Sequence, residues 1–225
     1  MKKSIFIFFI FFSFFKAFAD DLHYKNISKI EMDVLRNDEV IGYSNYFFKH
    51  SGNIMTVENY TKFAVEMFGV KVFSINSKSK EIYQRNKLLS FESSTLQNDK
   101  KKFVKLIYDE NKNKFIINGS SYNGEANIDN IIGNWWNAKI LKTKTQISPL
   151  SGSIKKQEVK FINEDQVEYK SKKIKLSKFK LKSTEDLPDN KKLDFDIWLD
   201  SNESIIFKVK YNRLGSWEYR LKNYE

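Results

Sequence analysis

Trp135, Trp136 and Asn137 are the one short stretch of this chain where side chains suited to gripping a ligand stand together. Two consecutive indoles on extended backbone face opposite ways, so one can pack inward while the other lines an opening. Asn137 adds an amide that both donates and accepts. Trp198 is a further aromatic of this kind, on the opposite strand face from Ile197 and Leu199. The bland use of these indoles is a structural plug for the pair and a second apolar layer for Trp198. Trp135, Trp136, Asn137 and Trp198 form the candidate ligand-binding set.

Catalysis has less to stand on. His23 and His50 have no metal-type partner within the next turn of chain. No nucleophile elbow, zinc-protease helix, phosphate loop or dinucleotide fingerprint occurs. Carboxylates are plentiful, and two could converge across a sheet as a glycosidase-like pair, but nothing singles out which two. The absence of cysteine excludes a thiol nucleophile, a thiolate metal site and disulfides. The Asn-x-Ser/Thr triplets at Asn26, Asn59, Asn118 and Asn202 fit chance in an Asn- and Ser-rich chain. The residues give no catalytic group, no metal site and no cofactor.

The elements that would position the tryptophans read as strands. Ile30, Met32 and Val34 alternate with Lys29, Glu31 and Asp33, and the same period of two recurs at Val159–Phe161, Val167–Tyr169 and Phe179–Leu181. It returns at Phe195–Leu199, Ile205–Tyr211 and Trp217–Leu221. Polar turns are expected at Asn37-Asp38, Ser51-Gly52-Asn53, Asn163-Glu164-Asp165, Asp200-Ser201-Asn202 and Leu214-Gly215. Residues 56–69 fit a helix or a strand; the β-rich Val70, Val72 and Phe73 favour a long strand broken at Gly69. Ile128 to Leu141 lacks alternation and reads as a loop with a short helical turn, and Lys182 to Lys192 as a long loop around Pro188. The expected fold is all-β: a strongly curved antiparallel meander, half-barrel or barrel, of roughly ten or more strands with at most one short helix.

The N-terminus specifies an address. Lys2 and Lys3 precede an apolar run from Ile5 to Phe15, and Ala17-Phe18-Ala19 supplies small residues where a signal peptidase cuts. Residues 1–19 are read as a signal peptide cut between Ala19 and Asp20, leaving 20–225 as one β-rich domain in the periplasm or outside the cell. The apolar run is too short to span a bilayer, which takes about 20 residues. No nucleic acid is expected: the charge of +11 is almost all lysine, and arginine is the residue suited to bidentate phosphate and base contacts. Many candidate strands carry too few apolar residues per face for a membrane barrel.

Several segments, taken in order, resemble a family of exported bacterial proteins known as a domain of unknown function. They are Val40-Ile41-Gly42, Phe63 to Phe73, Glu81 to Leu88, Ser94-Thr95 with Asn98-Asp99, Gly133 to Asn137, and Asp196 to Asp200 followed by Ile205 to Phe207. The resemblance implies a curved antiparallel sheet, similar in shape to the half-barrels of periplasmic lipoprotein and lipopolysaccharide carriers. It carries no catalytic residues. The chain departs from the pattern at Asn86-Lys87, where an Asp-Gly turn is usual. Together these readings predict non-enzymatic binding of an apolar or amphipathic, lipid-like ligand on a concave face, with the lysines suiting an anionic headgroup. A cell-envelope protein-interaction module is the alternative, and a carboxylate-pair hydrolase a more remote one.

Overall fold

The computed structural model describes residues 23–225; the predicted signal segment and its cut lie outside them. The strands are β1 (Lys29–Arg36), β2 (Glu39–Ser51), β3 (Ile54–Met67), β4 (Val70–Gln84) and β5 (Lys87–Gln97). Then come β6 (Lys100–Asp109), β7 (Lys114–Gly119), β8 (Tyr122–Asn127), β9 (Ile131–Ile132) and β10 (Thr145–Ile147). The last five are β11 (Ile154–Tyr169), β12 (Lys172–Ser183), β13 (Asp194–Asp200), β14 (Ile205–Asn212) and β15 (Ser216–Tyr224). The only helical pieces among the described residues are three 3₁₀ turns, at His23–Asn26, Ala138–Leu141 and Asp189–Lys191.

All fifteen strands join one sheet, ordered β8-β7-β6-β5-β4-β3-β2-β1-β15-β14-β13-β12-β11-β10-β9. Every pairing is antiparallel except β9 with β10. Two-residue turns with both residues left-handed, Asn37-Asp38, Phe68-Gly69, Arg85-Asn86 and Lys170-Ser171, join the long hairpins. Their twist matches that of the flanking strands.

The sheet curls without closing, since β8 and β9 remain its edges. Curling brings Phe91 and Val104 from one half into a single cluster with Leu176, Phe207 and Leu221 from the other. A second cluster packs Phe63, Val65 and Ile75 against Val34 and Trp217. Segment 128–153 fills the gap between the edges. It is tied to the β11 side through β10, and to the other side by Ser121 N–H donating to the Ser151 carbonyl at 2.9 Å and Ser93 Oγ to that of Pro149 at 2.6 Å.

Three local expectations are corrected. Asn163-Glu164-Asp165 is not a turn but lies inside β11, where a bulge falls between Phe161 and Asn163. Glu164 instead pairs with Lys175 across the hairpin, and the turn is Lys170-Ser171, which lacks the usual Gly or Asn signal. Gly69 does not interrupt one strand; with Phe68 it reverses the chain. The turn expected at Asn86-Lys87 is Arg85-Asn86, and Lys87 opens β5.

Candidate functional site

The interior of the curl holds a cavity of about 620 Å³. Small polar side chains on β2–β6 build one wall, because strand register aligns them. Ser44, Thr61, Ser77, Thr95 and Lys102 are successive partners across five strands, giving a row of hydroxyls that ends in an ammonium, all but Thr95 lining the cavity. Ser44 and Thr61 share a hydrogen bond of 2.7 Å, as do Ser77 and Thr95. The next row runs Tyr46, Asn59, Ser79, Ser93. Asn59 Nδ2 donates to Ser44 Oγ at 3.2 Å, and its Oδ1 accepts from Thr61 at 3.0 Å.

Aromatic rings build the opposite wall. Trp135 meets Phe195 edge-on at 5.1 Å, Phe195 meets Tyr211 at 5.4 Å, and Tyr211 stacks on Trp217 at 5.9 Å. Trp217 in turn contacts Phe63 and Phe73, so the arc returns to the polar wall. Tyr219 lies 6.1 Å from Trp135, and burial pushes its hydroxyl well above the usual tyrosine range. The Tyr211 hydroxyl is pushed up to about 12, also by burial.

Lys102, Lys155, Lys191, Lys192 and Arg213 are the charged residues of the cavity lining, which includes no carboxylate. Lys155 Nζ donates to the Lys191 carbonyl at 2.8 Å, and Arg213 donates to the carbonyls of Asp189 and Lys192. These bonds fasten the 184–193 loop at the mouth; Lys192 also pairs with Asp186 and Asp189 of that loop, which leaves Lys102, Lys155, Lys191 and Arg213 to carry the positive charge. Burial lowers the Lys155 pKa, and the nearby Lys191 and Arg213 lower it further, against an opposing pull from Glu185. An anionic group at the mouth would relieve that repulsion.

Of the four residues nominated from sequence, Trp135 reaches the cavity. Its backbone N–H is held by Tyr46 Oη at 3.3 Å. Trp136 points the other way into the core, among the rings of Tyr24, Phe48 and Tyr83. Its indole N–H donates to Glu81 at 2.8 Å. Asn137 is buried and caps the Ala138–Leu141 turn by accepting the Lys139 N–H at 3.0 Å. Trp198 lies outside the cavity lining, in the same core cluster as Trp136. It lies between Lys178 and Lys208, donates to Asp165 Oδ2 at 2.6 Å, and packs in the cluster of Leu176 and Phe207. Trp198 therefore belongs to a second apolar layer.

The hydroxyl rows are what sequence reasoning missed. Their signal is a small polar residue at the buried parity of an otherwise apolar strand: Asn59 and Thr61 between Val57 and Phe63, Ser77 and Ser79 after Ile75. Beneath them Glu81 accepts from Tyr83 Oη at 2.5 Å, Trp136 Nε1 at 2.8 Å and Asn134 Nδ2 at 2.6 Å. Burial raises the Glu81 pKa, and those three hydrogen bonds oppose the rise. Asn134 lines the cavity above it, so the carboxyl anchors the cavity floor.

No helix among the described residues is long and apolar enough to cross a membrane. No curated protein sequence matches the chain. In fold it is similar to a crystallised beta-barrel-like protein of the domain of unknown function DUF1849 from Brucella abortus. The TM-score is 0.60 at 10% identity, covering 88% of this chain and 97% of that one. That neighbour has the same kind of curled sheet. The sequence itself matches the family described as Domain of unknown function (DUF6134) across residues 32–222, nearly the whole sheet from β1 to β15, and the chain belongs to that family.

Proposed function

We propose that this protein binds an amphipathic, lipid-like molecule inside its curled sheet, without catalysis, in the periplasm or outside the cell. The observation that carries the reading is the two-sided cavity: aromatic rings on one wall, hydroxyls and amides on the other, cations toward the mouth and no carboxylate in the lining. Its volume of about 620 Å³ falls in the range of small-molecule sites. An acyl or ring portion suits the aromatic arc, a hydroxylated portion the Ser/Thr rows, and an acidic group the mouth. Trp135 is assigned the ligand contact, with Trp136 and Asn137 fixing its position; Trp198 serves the second layer. The signal-like residues 1–19 support the location. A hydrolase would need two carboxyls facing one cleft, and the wall of this cavity offers none.

Native and denaturing mass spectrometry of gently purified exported protein tests the reading. A discrete mass lost on denaturation supports it and identifies the ligand class. A dansylated fatty acid supplies a defined probe. Trp135→Ala should weaken its binding about tenfold, the worth of one good aromatic contact. Empty protein that also ignores the probe would overturn the proposal.

A further inference from the structure

We propose that the end of the sheet carrying the cavity mouth docks on a lipid bilayer, with the Phe68 and Leu214 hairpin tips inserted among the headgroups. The turns Phe68-Gly69 and Leu214-Gly215 close the β3–β4 and β14–β15 hairpins at the same end of the sheet as the β1–β2 turn. Arg36 ties the β14–β15 turn to the β1–β2 turn by donating to the Leu214 carbonyl at 2.7 Å, and Asn37 accepts from Ser216 N–H. Phe68 has φ 52° and Leu214 φ 51°. Left-handed backbone suits Gly, Asn or Asp, and is strained for bulky side chains. Packing does not compensate, because Phe68 is 101% exposed and Leu214 91%.

The fold itself gains nothing from either side chain. Met67, Val70 and Val72 extend the exposed apolar surface along the β3–β4 hairpin. Beneath it, Phe63, Phe73 and Trp217 form a firm base. Projecting apolar hairpin tips on a firm base suit a soft hydrocarbon interface, which needs no matching shape, better than the packed core of a protein interface.

Charge at this end is mixed, with unpaired cations among it. Lys71, Lys100, Lys101, Lys191 and Arg213 form no ion pair among the described residues, so they can meet lipid phosphates. Asp38, Glu39, Glu66, Asp99, Glu185, Asp186 and Asp189 share this end, the last two paired with Lys192, so the apolar tips supply the attraction and the cations only orient it. The proposal rests on the ligand reading only in taking the cavity mouth as the way in from the bilayer.

Sedimentation with vesicles of phosphatidylcholine and phosphatidylglycerol tests it. The wild-type protein should pellet with the vesicles. The double variant F68N/L214N places asparagine where left-handed backbone favours it, so it should fold at least as well. It should lose at least roughly tenfold in vesicle affinity for each tip. Its binding of the dansylated fatty acid in solution, without vesicles, should be unchanged. Wild-type protein left in the supernatant, or a double variant that pellets equally well, would overturn docking. So would concentration-dependent self-association of the wild type that the variant loses, since a second copy would then cover the tips. Tip-dependent pelleting by a protein that ignores the fatty acid would uphold docking and sink the cavity proposal alone.

Discussion

The carboxylate of Glu81 accepts the indole N–H of Trp136 at 2.8 Å, joining the middle of β4 to the irregular segment that fills the curled sheet. Tyr83 and Asn134 donate to the same carboxylate, and no cation is among its hydrogen-bonding partners. A buried acid held by neutral donors fixes the segment by geometry, since each partner must reach it from a different direction.

Glu81→Ala and Glu81→Gln should therefore differ sharply. Alanine strands three buried donors, each costing about 1–3 kcal/mol when left unpaired. Glutamine keeps one oxygen for Trp136 and Asn134, and its amide N–H can donate to Tyr83 Oη. Chemical denaturation should show Glu81→Ala much weaker than the wild type, and Glu81→Gln equal to it or stronger. Equal losses in both would mean that the negative charge itself holds the segment.

The same group sets a pH dependence. Burial raises its folded pKa above the ordinary 4.5, so the folded state holds a proton that the unfolded state releases. The Glu81 contribution is then complete below about 4.5 and is lost as pH rises through the folded pKa. Glu31 and Glu125, whose pKa values are lowered chiefly by hydrogen bonds from lysines, act with the opposite sign. The stability difference between wild type and Glu81→Gln isolates the buried carboxyl. Plotted against pH, it should shift in favour of Glu81→Gln above 4.5 and then level off.

Seating of the gap-filling segment depends on a close approach at Gly119. A Cβ built there would sit 2.6 Å from the Ser151 carbonyl oxygen and 3.2 Å from Gly152 Cα. Gly119→Ala should push segment 148–153 away and cost about 1–3 kcal/mol. Hydrogen exchange at the Ser121 amide, which donates to Ser151, should accelerate beyond what that global loss explains. Unchanged protection at Ser121 would mean that the edges are held apart from this contact.

Strand existence was legible because apolar residues at period two announce themselves, as at Ile30–Val34 and Phe195–Leu199. Turn positions were less so. Lys170-Ser171 and Arg85-Asn86 adopt left-handed backbone without the usual glycine, and the polar Asn163-Glu164-Asp165 imitates a turn within a solvated strand. The pair Trp135-Trp136 divides between cavity and core as consecutive residues on extended backbone must. The hydroxyl wall was hidden for another reason. Ser44, Thr61, Ser77 and Thr95 are far apart in sequence, and only the pairing of four strands makes them a row.

That row offers the sharpest test of what the cavity is for. Thr61→Val preserves shape but removes a hydroxyl bonded to Ser44 and Asn59, and Ser77→Ala removes the partner of Thr95. Each should cost about 0.5–1.5 kcal/mol of stability, the net worth of an ordinary hydrogen bond. Binding should divide by probe. An apolar dye such as phenylnaphthylamine gains from a less polar wall and should bind the double variant at least as tightly as the wild type. Octyl glucoside, below its micellar concentration, should bind it about tenfold more weakly, because sugar hydroxyls lose their partners. If both probes respond alike, the hydroxyls serve only the strands that carry them, and the ligand is recognised by the aromatic arc and the cationic mouth.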